Sequence, residues 1–99
     1  MKQYLLQAEA AVEFDVESAF QWYETEEPGL GFEFLKQLRS CYETLLRAPY
    51  GYQELRSGIR RALTKRFPYA VYFSIEDEVV VVLAVLHIAR DPAEWQRRI

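Results

Sequence analysis

The sequence has few of the residues that build covalent or metal-based sites. It contains one cysteine, Cys41, one histidine, His87, and four glycines, and it has no glycine-rich phosphate loop. A single cysteine cannot form an internal disulfide, which is typical of a reducing compartment, and one histidine with one cysteine makes no recognisable zinc ligand set. We therefore expect a cytoplasmic protein that needs no cofactor and no metal.

Long apolar runs are also missing from the chain. The longest, residues 79–88, has about ten residues, roughly half of what a transmembrane helix needs. The first residues, Met1 to Tyr4, lack the charged and apolar regions of a secretory signal. We expect no membrane partner.

Basic side chains are in slight deficit, since 12 Lys and Arg face 15 Asp and Glu and give a net charge of −3. Residues 1–48 carry four basic and nine acidic side chains, whereas residues 49–99 carry eight basic and six acidic ones. A protein that grips nucleic acid along a broad surface is usually basic overall. No direct, specific DNA binding is therefore expected from this chain alone.

Apolar and aromatic residues are plentiful by contrast. Hydrophobic residues make up 51% of the chain, with seven Tyr, six Phe and two Trp. This content is well above that of a disordered chain, and 99 residues suffice for one modest core but not for two. We predict a single domain over residues 1–99.

The second half of the chain predicts three antiparallel strands. Ile59–Phe67 is studded with basic residues, residues 69–75 alternate large apolar with small residues, and residues 79–88 are almost unbroken apolar. The alternation favours a strand with one face in solvent, and the apolar run favours a central strand covered on both faces. Pro68 marks a bend, and residues 76–78 a polar turn. The pattern indicates a three-stranded meander with a basic edge.

The first half predicts a short strand at residues 2–7 and two helices. Apolar residues recur at helical spacing from about Ala10 and again over residues 31–47, and Pro28 with Gly29 separates the two stretches. Helices joined by so short a connection form an antiparallel hairpin, which would cover one face of the sheet. After the last strand, Asp91 as N-cap and Pro92 at the first helical position predict one helical turn. The fold class is α+β, in the order β-α-α-β-β-β.

A group of cations near the sheet is the candidate functional site. In a regular strand Arg61 and Lys65 share one face, and Arg60 and Arg66 share the other. A cationic binding site is one interpretation, and a solvated edge strand whose charges prevent edge-to-edge association is the alternative. The candidates for binding a target or a partner are Arg60, Arg61, Lys65, Arg66, Arg90, Trp95, Arg97 and Arg98.

Three other side chains are assigned from their positions. His87, at the end of the last strand, is interpreted as a packed, hydrogen-bonded residue, with proton transfer as the alternative. We place Cys41 in the helix interface and Trp22 in the core, with an anchor for a partner protein as the alternative for Trp22.

Several short strings follow one another in a specific order: Ala19 with Trp22-Tyr23-Glu24, Pro28-Gly29-Leu30-Gly31 with Phe34-Leu35, Pro49, Ile59-Arg60-Arg61, Arg66-Phe67-Pro68-Tyr69, and His87-Ile88-Ala89-Arg90-Asp91-Pro92 with Trp95 and Arg98. In these strings the chain resembles the RelE/ParE superfamily of toxins, in its plasmid-stabilisation branch. The resemblance spans nearly the whole chain. It implies the compact α+β fold and a cognate antitoxin in a type II toxin–antitoxin system.

Members of this superfamily act in two main ways, by cutting messenger RNA on the ribosome or by poisoning DNA gyrase. The RNase candidates that the resemblance transfers to this chain are Arg61, Lys65 and Arg90, with His87 as a further possibility. Cleavage through a 2′-hydroxyl needs a base, an acid and cations, and arginine stays protonated. The chain has no late Tyr or His after residue 92.

We therefore expect a toxin that arrests growth by binding a target such as DNA gyrase. The alternatives are a ribosome-dependent messenger RNA endonuclease and an antitoxin-bound or orphan scaffold that poisons nothing. We also expect the antitoxin to cover the meander or its basic edge.

Overall fold

A computed structural model describes residues 3–89 and 93–99. Its sheet has the strand order β1-β5-β4-β3-β2, in which β1 runs parallel to β5 and the other neighbours are antiparallel. The predicted α+β architecture of strand, helical hairpin, meander and short last helix is confirmed. The elements are β1 (Leu5–Ala8), α1 (Ala10–Glu26), α2 (Leu30–Arg47), a 3-10 turn (Pro49–Gly51), β2 (Glu54–Arg56), β3 (Ile59–Leu63), β4 (Tyr69–Glu76), β5 (Val79–His87) and α3 (Glu94–Arg98).

The helical hairpin is held by one glutamate and one glycine. Gly29, with φ 92°, takes the left-handed conformation that turns the chain between α1 and α2. The Glu24 carboxylate accepts hydrogen bonds from the backbone N–H groups of Gly29 at 3.2 Å and Gly31 at 2.8 Å, so it satisfies donors at the start of α2. A Cβ at Gly31 would lie 2.8 Å from the Phe20 carbonyl oxygen, so the two helices are in close contact here.

The main core lies between this hairpin and one face of the sheet. Both helices contribute fully buried or nearly buried side chains, which meet the inward-facing residues of β4 and β5. The core residues are Val12, Ala19, Phe34, Leu38, Leu45, Ala62, Phe67, Tyr69, Val71, Phe73, Val80, Val82 and Val85.

The central strand is β4 rather than β5, which corrects the prediction for both. β4 lies in the middle of the sheet and residues 69–73 are all buried, whereas exposure alternates along β5. Ala70, a small residue of β4, does not face solvent. Ala70 packs with Tyr72 and Ala84 in a second cluster, beneath Trp95 of α3. The alternation in β4 therefore reflects a thin second core.

Two strand boundaries also differ from the prediction. β3 ends at Leu63 and not at Phe67, because the Thr64 hydroxyl bonds to the carbonyls of Phe67 at 2.6 Å and Tyr69 at 3.2 Å and Arg66 turns the chain with φ 70°. The sequence did not predict β2, which pairs outside β3. β3 is therefore not the edge of the sheet. The polar turn is confirmed, since β4 ends at Glu76 and β5 begins at Val79.

A bulge in β5 positions the last helix. Phe73 pairs with Val82 and Tyr72 with Ala84, so Leu83 is an extra residue in β5. β1 ends opposite Val82, and beyond that point side chains cover the edge of β5. Asp15 of α1 accepts a hydrogen bond from Val85 N at 3.0 Å, and Arg98 of α3 donates to the Leu83 carbonyl at 3.1 Å. The Arg98 and Asp15 side chains pair with each other at 2.6 Å.

Candidate functional site

The sheet face away from the hairpin carries two arginines and a tryptophan. The Trp95 ring stacks on Tyr72 at 5.7 Å with an interplanar angle of 15°. The Arg56 guanidinium lies 5.2 Å from the centre of the Trp95 ring and donates a hydrogen bond to the Ile99 carbonyl. Arg61 pairs with Tyr72 in the β3–β4 register, which places its side chain on the same face. We call Arg56, Arg61 and Trp95 the cationic face.

Arg56 was not among the candidates predicted from the sequence. It belongs to β2, and a three-residue strand is too short to give a periodic signal. The Ser57-Gly58 turn was the one available indication, because a two-residue connection of this kind joins hairpin strands. Gly58 has φ 80°, as such a turn requires.

Four of the predicted binding residues are engaged within the protein. Arg60 also lies over the Tyr50 ring at 5.2 Å. Arg60 and Arg66 were predicted to share one face of the strand. They do not, because β3 ends at Leu63, before Arg66. Their partners are Tyr52 carbonyl at 2.7 Å and Glu54 at 3.3 Å for Arg60, Glu33 at 3.1 Å for Arg66, Glu94 at 2.5 Å for Arg97 and Asp15 at 2.6 Å for Arg98.

The RNase candidates are divided between the two sides of the sheet. His87 pairs with Tyr69 in the β4–β5 register, and their rings meet edge to face at 5.3 Å, on the hairpin side. His87 Nδ1 accepts a hydrogen bond from Ala89 N at 3.1 Å. Arg61 lies on the opposite face. Lys65 follows β3 and lines a small cavity of about 130 Å³ beside α2.

Arg90 belongs to the predicted RNase set and to the predicted binding set, but it lies outside the described residues. The predicted cap Asp91 and the predicted helix start Pro92 lie outside them as well. The described part of the last helix begins at Glu94, after Ala93.

Cys41 contacts β3 rather than lying between the helices as predicted. Its Sγ donates to the Leu63 carbonyl at 3.8 Å. Burial raises the pKa of the Cys41 thiol to about 11. Burial, followed by the charges of Cys41 and Asp15, raises the pKa of Tyr42 to about 12. Both groups are therefore protonated and neutral at pH 7, and the Cys41 thiol is not poised as a nucleophile.

An apolar groove of about 560 Å³ opens between the two helices near the end of β1. Its wall on the α1 side carries acidic side chains, so the groove combines an apolar floor with negative charge. The Phe20 and Phe32 rings meet edge to face at 4.9 Å within its lining. The apolar lining residues are Ala8, Ala10, Val12, Val16, Phe20, Phe32, Leu35, Leu38 and Tyr42, and the acidic ones are Glu9, Glu13 and Glu17.

Trp22 is 52% exposed, so its predicted place in the core is wrong. Val12, Ala19 and Tyr23 of α1 point towards the sheet, and Trp22 falls outside the arc that they define. Phe14, on the same helix, is 74% exposed. α1 therefore presents aromatic residues to its surroundings as well as to the core.

Two other kinds of site are absent from residues 3–89 and 93–99. No group of three or more His, Cys, Asp or Glu side chains in these ranges could hold a metal ion. No helix within them combines the length and the apolar character that crossing a membrane requires.

Comparison with known proteins identifies relatives at the level of family and fold. The family model described as "ParE toxin of type II toxin-antitoxin system, parDE" matches residues 6–92. A solved structure titled "Chromosomal ParDE TA system from P. aeruginosa" matches with a TM-score of 0.76 and 12% sequence identity, covering 86% of this chain and 96% of that chain. No curated protein matches the sequence. Because the family model covers most of the chain, this protein belongs to the ParE toxins of type II toxin–antitoxin systems, and membership implies an antitoxin partner.

Proposed function

We propose that this toxin arrests growth by binding DNA gyrase, without cutting RNA, and that a cognate antitoxin neutralises it in the cytoplasm. The observation that supports binding over cleavage is the placement of Arg61 and His87 on opposite faces of the sheet. Cleavage through the 2′-hydroxyl requires proton-transfer groups and cations around one phosphate. Because the sheet lies between Arg61 and His87, these two side chains are not placed around one phosphate, which supports binding over cleavage.

The cationic face supplies what a binding surface needs. Tryptophan and arginine are the residues most enriched at energetic centres of protein interfaces. Trp95 is held by Tyr72 and Arg56, so its ring is ordered before a target arrives. The Arg61 backbone N–H bonds to the Gln53 carbonyl at 3.2 Å, but its guanidinium has no ion pair or hydrogen bond within the described residues, which favours pairing with a carboxylate on the target. We assign Arg61 and Trp95 as the principal target contacts.

For the antitoxin, the groove is a better site than the basic edge that the sequence suggested. β2 lies outside β3, and α3 covers part of the second sheet face, so neither surface is as open as predicted. The groove is apolar along its floor and acidic along α1. We propose that it holds an amphipathic antitoxin helix whose apolar side enters the groove and whose lysine or arginine residues face Glu13 and Glu17.

Controlled expression in a bacterial host tests the proposed target. We expect the wild type to change plasmid supercoiling and to reduce colony survival, with messenger RNA ends unaltered. Arg61→Ala should restore survival by at least tenfold, whereas His87→Ala, if it folds, should remain toxic. Lys36→Ala is the matched control, because Lys36 is an exposed cation on α2, which packs on the other side of the sheet from the cationic face.

Two outcomes contradict the proposal. Codon-positioned messenger cuts with normal supercoiling, lost in Arg61→Ala, establish the ribosome-dependent endonuclease. Folded protein at high level without growth arrest establishes the inert scaffold.

A further inference from the structure

Among the described residues, the outer side of β2, the second half of β5 and the outer side of β1 are sheet edges that no neighbouring strand pairs. The outer side of β2 is protected because this strand has three residues, two of them charged, and an irregular register. The second half of β5 is covered by Asp15 and Arg98. β1 is the third edge, and within the described part of the chain it has neither charged residues of its own nor side chains from other elements bonded to its outer backbone groups.

The outer side of β1 is open and apolar. Its sequence is Leu-Leu-Gln-Ala, without charge or proline, and Leu5 and Leu6 are 69% and 36% exposed. Leu5 N donates to the Glu78 carbonyl and Glu9 N to the Val82 carbonyl, so the odd-numbered residues pair inward with β5. Alternation then directs the N–H and C=O groups of Leu6 and Ala8 outward. The two outward N–H groups and two outward C=O groups therefore have the spacing that pairing with another strand requires.

Acidic residues lie at both ends of this edge. Asp77 and Glu78 form the turn next to the start of β1, and Glu9 and Glu13 follow its end, all of them exposed. A second copy of this chain, paired antiparallel, would bring the acids at one end against those at the other. Like charges brought together at an interface are unfavourable. The occupant that fits is a basic segment and not a second copy.

We propose that β1 accepts an extended segment of a partner protein as a sixth strand, with apolar residues at the centre of the segment and lysine or arginine at its ends. Main-chain hydrogen bonds to Leu6 and Ala8 would provide affinity, and the acidic ends would select the charge of the segment. This surface is separate from the cationic face, and the proposal stands whether or not gyrase is the target.

Amide hydrogen exchange followed by NMR tests the pairing directly. The probe is a synthetic peptide of four alternating valine and threonine residues with two lysines at each end. We expect it to slow exchange of the Leu6 and Ala8 amides at least tenfold. The Gln7 amide, which points towards β5, is the internal reference and should change little. A peptide of the same sequence with N-methyl groups on alternate backbone nitrogens should have no effect.

A pair of variants separates backbone pairing from side-chain contact. Leu6→Ala removes the apolar side chain alone, whereas Leu6→Pro also removes the outward N–H and leaves the inward ladder intact. Leu6→Pro should weaken peptide binding at least tenfold relative to Leu6→Ala. Circular dichroism of both variants checks that the fold is kept.

Several results would overturn the proposal. One is equal protection by the N-methylated peptide, and another is no binding at millimolar peptide. A third is a set of chemical-shift changes confined to the helical residues Phe20, Phe32 and Leu35 of the groove, with none at Leu6 or Ala8. Protection of Leu6 and Ala8 that rises with protein concentration in the absence of peptide would identify a second copy as the occupant instead.

Discussion

Arg98 joins three elements through one guanidinium group. It pairs with Asp15 of α1 at 2.6 Å, donates to the Leu83 carbonyl of β5 and itself belongs to α3. The Asp15 side chain is 6% exposed, so its charge lies away from solvent, and its second oxygen accepts from Val85 N. Arg97, the preceding residue, pairs with Glu94 on the surface of the same short helix, and its side chain is 63% exposed. Two adjacent arginines therefore have different structural roles.

This difference leads to a stability prediction. Arg98→Gln leaves the nearly buried Asp15 carboxylate without its cation, and we expect the free energy of unfolding to fall by about 2–3 kcal/mol, less than for a fully buried pair because Arg98 is partly exposed. Arg97→Gln is the matched control and should cost less than about 0.5 kcal/mol. Urea denaturation at pH 7, followed by tryptophan fluorescence, measures both. Equal losses for the two variants would show that Asp15 does not depend on Arg98.

The sequence could not reveal this role for Arg98. Asp15 is one of nine acids in the first 48 residues, and its partner is 83 positions away. Nothing in a periodic pattern connects them. The basic cluster at residues 97–98 was therefore predicted as one binding group, although the structure engages each of its members separately.

At the scale of elements, prediction from the sequence depended on length and period. Both helices were predicted within about one residue, because their apolar stripes repeat over four turns or more and Pro28 with Gly29 separates them. β2 was missed because three residues carry no period. β4 was predicted to have one face in solvent and β5 to be central, but β4 is the central strand. Small residues on a strand can indicate either a solvent-exposed face or close packing, and Ala70 of β4 is closely packed beneath the last helix.

The close contact between α1 and α2 gives a prediction for the hairpin. In Gly31→Ala the new methyl group would meet the Phe20 carbonyl oxygen at 2.8 Å, so the helices must separate, and we expect a loss of about 1–3 kcal/mol of stability. Gly51→Ala is the control, because no atom lies within 4 Å of the added Cβ and its φ is not positive. This variant should change stability by less than about 1 kcal/mol.

Thermal unfolding followed by circular dichroism distinguishes the two glycine variants. Gly31→Ala should melt several degrees below the wild type. An unchanged melting temperature would mean that α2 can shift along α1 without loss of packing.

At the scale of the whole molecule, the acidic groove and the cationic face lie on opposite sides of the sheet. The acidic groove belongs to the helical hairpin, whereas the cationic face lies on the far side of the sheet. This division follows the sequence, in which acids dominate the first half and cations the second. Composition does not predict the face on which each cation lies, because successive residues of a strand point to opposite faces of the sheet.

The division predicts that the two binding functions can be lost separately. Phe32→Glu places a charge in the groove at a side chain that is 61% exposed, and we expect it to weaken antitoxin binding at least tenfold while toxicity remains. Arg61→Glu should abolish toxicity and still recover the antitoxin. The measurement is pull-down of the product of the neighbouring gene, together with colony survival.

Phe14→Glu is the matched control for the groove variant, since Phe14 is 74% exposed on α1 and does not line the groove. It should retain both functions. Loss of antitoxin binding in Arg61→Glu, with normal binding by Phe32→Glu, would place the antitoxin on the meander instead.

Two contacts join the start of the chain to its end: β1 pairs with β5, and Asp15 forms an ion pair with Arg98. These contacts determine which parts of the protein can form first during synthesis. Asp15 cannot form its ion pair until Arg98, which is 83 positions later in the chain, has been synthesised. At roughly 5–20 residues per second, that interval is about 4–17 s. Until α3 (Glu94–Arg98) has been made, the cationic face, which includes Trp95, cannot form. The groove between α1 and α2 is lined by residues that end at Tyr42, so the proposed antitoxin site is synthesised before the proposed target-binding surface.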